Sequence, residues 1–169
     1  MHTDMTNGIN WPKRPAHGPR VFAAEGKAPY AGDVAANEAF ALLKENPKAV
    51  LVDVRSSAEW SFVGLPDLTS LGRQPLLIEW QSFPGMAPNP RFVEQTRAAL
   101  AEAGVGAGDP VLFLCRSGAR SRNAAIALTE AGFGACYNIS DGFEGALDGE
   151  RHRGRRTGWK AEGLPWAQN

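Results

Sequence analysis

The stretch Val111-Leu112-Phe113-Leu114-Cys115-Arg116-Ser117-Gly118-Ala119-Arg120-Ser121 decides how this chain is read. Its first half is an unbroken apolar run, which suits a strand buried on both faces of a parallel sheet. A small-residue loop follows, then a helix expected from about Ser121 to Ala131 with Gly132 as its stop. Runs of the same kind recur along the chain. Ala49-Val50-Leu51-Val52-Asp53-Val54, Pro75-Leu76-Leu77-Ile78-Glu79-Trp80 and Ala135-Cys136-Tyr137-Asn138-Ile139 read as three further buried strands. Helical patterns lie between them. Ala36, Phe40 and Leu43 share a helical face that ends before Asn46-Pro47. Phe92, Thr96, Ala99, Leu100 and Ala103 share another, with Asn89 expected as the cap, Pro90 as the first helical residue and Gly104 as the stop. Short buried strands alternating with helices specify an α/β domain, an open parallel sheet with helices on both faces.

The chain's 169 residues fit one such domain, since domains run to roughly 100–200 residues. Residues 1–32 carry Trp11-Pro12, Arg14-Pro15, Gly18-Pro19 and Ala28-Pro29 with little apolar periodicity, and are expected to form an extended Pro/Gly-rich N-terminal arm. Residues 33–169 form the domain proper. Lys and Arg number 18 against 18 Asp and Glu, so no global basic field argues for nucleic acid. No window is long and apolar enough to span a membrane, and the opening residues lack a basic and apolar leader, so a cytoplasmic location is expected. Two cysteines are too few for a disulfide framework, and in a reducing compartment they divide naturally into one structural and one chemical thiol. They lie far apart and His2, His17 and His152 fall outside the core elements, so no metal is expected, and no motif calls for a cofactor.

Functional groups of an open parallel sheet gather at the carboxyl ends of its strands. Cys115 stands at such an end. A loop wrapped around its sulfur would aim backbone N–H groups at it, the helix N-terminus adds partial positive charge, and Arg116 and Arg120 add full charges. That setting favours the thiolate and makes a nucleophile without a general base. The plainer reading of a lone cysteine is a small buried hydrophobe, and the two arginines and the glycine in the next five residues weigh against it. Cys136, inside an apolar strand with no cationic neighbour, is read as core.

At these residues the chain resembles the rhodanese (thiosulfate sulfurtransferase) family, over about Ala35 to Trp166. The resemblance rests on Asp53-Val54-Arg55 with Glu59-Trp60, on Cys115-Arg116-Ser117-Gly118-Ala119-Arg120-Ser121, on Asn138-Ile139 with Asp141-Gly142, and on Gly158-Trp159-Lys160-Ala161-Glu162-Gly163-Leu164-Pro165. It implies a rhodanese-like single domain in which Cys115 accepts a sulfane sulfur as a persulfide and passes it to a thiophilic acceptor. Arg116, Ser117, Gly118, Ala119, Arg120 and Ser121 would form the anion-binding loop, with Arg120 anchoring the donor and Ser117 and Ser121 bonding the sulfur or the loop. Asp53, Arg55 and Glu59 would support it as structural charge pairs. The donor would be a small anion such as thiosulfate or a protein persulfide; oligomeric state is left open.

The chain departs from the family in two places. Gly64-Leu65-Pro66-Asp67-Leu68 stands where the family commonly has Gly-His-Ile-Pro-Gly-Ala, and a longer segment from Thr69 to Asn89 follows, either a substrate rim or a loop packing its own apolar residues. Glu150-Arg151-His152-Arg153-Gly154-Arg155-Arg156 interrupts a connection that is short in the family. Arg151, Arg153, Arg155 and Arg156 would dock an acidic protein partner or an anionic donor, or simply face water as charge runs do.

Two other functions compete. Cys-dependent phosphatases and arsenate reductases use a related loop, but their Arg falls one residue later, in Cys-x5-Arg. Here Arg120 is the fifth residue after Cys115 and the sixth is Ser121, a shorter loop that suits one sulfur better than a tetrahedral oxyanion. A non-catalytic rhodanese-like binding module would need neither Cys115 nor Arg120.

Overall fold

The computed structural model describes residues 28–168. Strand β1 (Gly32–Val34) leads into α1 (Ala36–Glu45), whose first amide is capped from across the molecule by Asp141 Oδ1 at 2.9 Å. Strand β2 (Val50–Asp53) leads into the short α2 (Ser57–Phe62) through a reciprocal cap. Ser56 Oγ accepts the Glu59 amide while the Glu59 carboxylate accepts the Ser56 amide. Then come β3 (Leu65–Pro66), a 3₁₀ turn (Thr69–Leu71), β4 (Leu76–Leu77) and a hairpin of β5 (Gln81–Ser82) and β6 (Ala87–Pro88). The chain continues through α3 (Phe92–Glu102), β7 (Val111–Leu114), α4 (Ala119–Glu130) and β8 (Cys136–Ile139) to β9 (Trp166–Ala167), which pairs antiparallel with β3. No helix among the described residues is long and apolar enough to cross a membrane.

The main sheet has the order β1-β8-β7-β2-β4 and is parallel throughout. Successive strand residues point to opposite faces, so the apolar runs feed two cores. Leu51, Leu112 and Leu114 meet Ala39, Leu42 and Leu43 of α1, together with Phe143 and Trp159. Val50, Val52, Val111 and Phe113 meet Phe92 and Leu100 of α3 and Ala124, Ala125 and Leu128 of α4. This is the α/β arrangement of helices on both faces that the alternation of runs specifies.

The boundaries shift where local chemistry overrides pattern. Gly32, the last residue of the expected arm, already pairs with Tyr137, and Tyr30 and Ala31 lie in the core; residues 1–27 of that arm lie outside the described residues. Helix α4 starts at Ala119, two residues ahead of expectation, because Gly118 takes a left-handed φ of 112° and turns the chain early. Helix α3 starts at Phe92, two residues after Pro90. Asn89 caps it indirectly, its Oδ1 accepting the Arg91 amide and its carbonyl the Phe92 amide. The expected strand at 75–80 is regular only over Leu76–Leu77, although the amides of Ile78 and Trp80 still donate to the carbonyls of Asp53 and Val54.

Candidate functional site

Cys115 is the first residue beyond β7, and the backbone that follows is clasped by the segment after β8. The Cys115 carbonyl accepts the Phe143 amide at 2.8 Å, and the Arg116 carbonyl accepts the amides of Glu144 and Gly145 at 3.0 and 3.1 Å. The approach is close enough to demand glycine. A Cβ on Gly118 would lie 2.4 Å from the Ser140 carbonyl oxygen, and one on Gly142 would lie 2.3 Å from that of Arg116, both at positive φ.

Clasped in this way, the loop folds over the Cys115 sulfur. The Gly118 and Ser121 amides approach Sγ at 3.1 and 3.4 Å, and Ser121 Oγ lies at 3.2 Å. The residue is 1% exposed. Among the described residues, the amides of Arg116, Ser117, Ala119 and Arg120 have no acceptor, so donors remain open at the loop's outer lip. Ser121 bonds the sulfur, whereas Ser117 is exposed and makes no contact with it. Cys136 sits in β8 with its thiol pushed up to about 12 by burial, and belongs to the core.

The supporting charges form two pairs. Arg55 holds both Asp53 oxygens, Nε to Oδ1 at 2.9 Å and Nη2 to Oδ2 at 2.6 Å, and donates through Nη2 to the Gly64 carbonyl. Both side chains are fully buried, and the guanidinium lies 4.2 Å from the centroid of the Phe143 ring. Phe143 is also a clasp residue, so this pair braces the loop from beneath. Glu59 and Arg120 form the second pair, a two-pronged bond of 2.8 and 3.0 Å joining α2 to the first turn of α4. Burial by itself would raise the Glu59 carboxyl, but the hydrogen bonds from Arg120 and Ser56 outweigh it and hold it at about 2. The Arg120 guanidinium, expected to anchor a donor, has both prongs of its fork on Glu59 in the structure. Arg116 is exposed and has no side-chain partner among the described residues, so it is the free cation of the loop.

The basic insertion is tied down more than a solvated charge run. Arg153 donates to the Gly145 carbonyl at 2.7 Å, Arg155 pairs with Glu150 and Asp148, and Arg156 donates to the Leu147 carbonyl. Arg151 alone of the four has no side-chain partner among the described residues, its amide donating to the Asp148 carbonyl at 2.9 Å. Asp148, Glu150 and His152 bring three ligand-type atoms within 4.8 Å of one another, but Asp148 already accepts the amides of Glu150 and His152, and Arg155 faces both carboxylates.

Sequence reasoning missed two features. A groove of about 590 Å³ opens between α2, the β5–β6 hairpin and α3, lined by Trp60, Leu77, Ile78, Glu79, Pro88 and Gln95. The segment from Thr69 to Asn89 thus forms a rim, with Trp80 packed edge-on to Phe92 and Phe83 and Met86 exposed at the hairpin tip. The other is a polar chain behind the sulfur. Ser121 Oγ donates to Asn138 Oδ1 at 2.6 Å, Asn138 Nδ2 donates to Asp33 Oδ1 at 3.1 Å, and the Tyr30 hydroxyl donates to the same oxygen at 2.8 Å. Asp33 and Asn138 are register partners on β1 and β8, a relation that exists only once the strands pair.

A five-stranded parallel sheet flanked by helices, with a cysteine loop at a strand's carboxyl end, defines a protein of rhodanese-like fold. By sequence the chain belongs to the family described as the STR4 middle domain, whose model matches residues 31–169. It is 37% identical over 134 residues to an uncharacterized protein of Rickettsia rickettsii, covering 79% of this chain and 95% of that one. Among solved structures it is similar to Rv0390 from M. tuberculosis, with 51% identity, a TM-score of 0.72, and coverage of 83% of this chain and 99% of that chain. It is also similar to the polysulfide-sulfur transferase homodimer from Wolinella succinogenes, with 27% identity, a TM-score of 0.50, and coverage of 80% and 77%.

Proposed function

We propose that the protein is a rhodanese-type sulfurtransferase that carries a sulfane sulfur as a persulfide on Cys115, from thiosulfate or another sulfane donor to a thiophilic acceptor. The observation that carries this reading is the Cys115 sulfur held at a strand end beneath backbone amides, with further amides open at the lip. His152, the histidine of the described residues, lies against Glu150 instead of the sulfur, so the loop itself must ready the nucleophile. The Cys115 thiolate attacks the outer sulfur of thiosulfate. A new S–S bond forms, the donor S–S bond breaks, and sulfite leaves with its electron pair. The persulfide anion is met by amides already in place, which lowers its energy without reorganisation. An acceptor such as cyanide then takes the outer sulfur, leaving as thiocyanate and returning the thiolate.

The likeness to a polysulfide-sulfur transferase supports sulfur over phosphorus, and so does the commitment of Arg120 to Glu59. A tetrahedral phosphoryl group would need that fork. In this reading Arg120 positions the loop, Arg116 attracts the anionic donor, and Arg151 is the basic-loop cation left to meet an acidic protein partner or a protein persulfide donor. The test is intact-protein mass after brief exposure to thiosulfate, on wild type and Cys115→Ser, followed by cyanide. Wild type is expected to gain one sulfur atom and lose it to cyanide, and the variant to do neither. Cys115-dependent cleavage of an aryl phosphate with no sulfur gained would replace this reading with the phosphatase one.

A further inference from the structure

The string Ser121, Asn138, Asp33 and Tyr30 takes no part in the reaction above, yet it ends 3.2 Å from the reacting sulfur. Its polarity follows from counting hydrogens. A carboxylate only accepts, so Asp33 Oδ1 takes one hydrogen from the Tyr30 hydroxyl and one from Asn138 Nδ2. That fixes the Asn138 amide with its carbonyl oxygen toward Ser121. A carbonyl oxygen also only accepts, so the 2.6 Å contact uses the one hydrogen of the Ser121 hydroxyl. Ser121 therefore faces the Cys115 sulfur with lone pairs.

Two states of the sulfur meet this arrangement differently. A thiol donates its own hydrogen to Ser121 Oγ, and every group in the string is satisfied. A thiolate has none to give. Ser121 must then either present lone pairs to an anion or swing its hydrogen to the sulfur and leave Asn138 Oδ1 unpaired in a buried place, which is costly. The amide cannot turn over to rescue it, because its oxygen would then face the Asp33 carboxylate.

We propose that Asn138, locked in one orientation by Asp33, is a positioning residue that keeps the Ser121 hydrogen turned away from the Cys115 sulfur and so restrains the resting thiol. The backbone amides of Gly118 and Ser121 favour the anion, and the Asn138 string opposes them, sparing the sulfur from indiscriminate alkylation and oxidation. This rests on the sulfurtransferase reading only in taking Cys115 as the reacting atom.

The experiment measures the rate of Cys115 alkylation by iodoacetamide at neutral pH, together with the ultraviolet absorbance of the thiolate. Cys136, with its thiol near 12, contributes no thiolate signal there. Asp33→Asn keeps the shape but lets the Asn138 amide turn, so that its NH₂ feeds Ser121 and the hydroxyl hydrogen reaches the sulfur. Asn138→Ala frees that hydrogen outright. Both are expected to alkylate about tenfold faster than wild type and to show more thiolate absorbance, the scale of one hydrogen bond to a charged group. Adding Ser121→Ala to either is expected to abolish the gain. Unchanged rates in Asp33→Asn, or a gain that survives Ser121→Ala, would overturn the proposal, and Asp33→Asn decides it even if Asn138→Ala does not fold. Sulfur loading of wild type by thiosulfate is measured in parallel: its absence removes the sulfurtransferase reading and leaves the alkylation result to judge the string.

Discussion

Gly118 and Ala119 are neighbours with opposite tolerance, because one turns the loop and the other only rides on it. A Cβ at Gly118 would sit 2.4 Å from a backbone oxygen, which has no rotamer to move, and would do so at φ 112°. Gly118→Ala is expected to lower the denaturant midpoint by the equivalent of about 2–4 kcal/mol and to displace the amide that faces Sγ. The exposed Ala119 should accept Ser within about 0.5 kcal/mol. Equal denaturation curves for the two variants would mean that the turn is not held where the structure has it. The Asp53–Arg55 pair obeys a different rule, since both ions are fully buried and each exists to neutralise the other. Asp53→Asn leaves a buried guanidinium uncompensated and is expected to cost about 3–5 kcal/mol, whereas Asp53→Leu with Arg55→Leu should cost less than either single change. A double-variant cycle by thermal unfolding measures this directly.

Helices α2 and α4 meet through one ion pair, and that pair has a pH signature. Against desolvation, the hydrogen bonds from Arg120 and Ser56 hold the Glu59 carboxyl at about 2 in the fold, below the ordinary 4.5 of an unfolded chain. A depressed carboxyl contributes stability that is fully present above 4.5 and is lost as pH falls through about 2. Glu59→Gln is therefore expected to be less stable than wild type at neutral pH, by about 2 kcal/mol for a half-buried bidentate pair, and to converge with it as acid protonates the wild-type carboxyl. Parallel thermal melts that keep a constant gap down the whole acid range would refute this. The pair also marks where sequence reading stopped. Strands β2, β4, β7 and β8, helices α1 and α3 and the cysteine loop were legible because apolar period and glycine punctuation are local signals. Glu59 and Arg120 are separated by 61 positions, and nothing local says that this Arg has a carboxylate partner. Strands β3, β5, β6 and β9 have two residues each, too few to show a period, so the length of the Thr69 to Asn89 segment left a rim and a self-packing loop equally open and the groove had no signature. The Asn138 string was hidden for the same reason, since it depends on strand register.

Taken as a whole, the molecule is a parallel sheet whose carboxyl ends hold the candidate site and whose edges are short, so what completes an edge affects both stability and site. The β1 edge is the telling one. Composition put the end of the arm at residue 32, because Pro29 and Gly32 punctuate the sequence more loudly than three strand residues can. The structure puts Ala31 in the core, sends its amide to the Cys136 carbonyl and begins the parallel ladder at Gly32. Tyr30 is buried as well and closes the string behind the sulfur. Chains beginning at Ala28 and at Asp33 therefore differ by only five residues but not in kind. The shorter one loses two core side chains, a ladder residue and the hydroxyl that shares Asp33 with Asn138. Burial of those side chains is worth about 2–4 kcal/mol. The chain beginning at Asp33 is expected to melt well below the one beginning at Ala28, and its Cys115 to alkylate faster, because the Gly32 ladder residue and the Tyr30 hydroxyl that hold Asp33 in place beside Asn138 are gone. Equal melting points would move the domain boundary back to residue 32. A lower melting point with unchanged alkylation would separate the two roles of this edge, leaving Tyr30 to the core and Asp33 alone to the string.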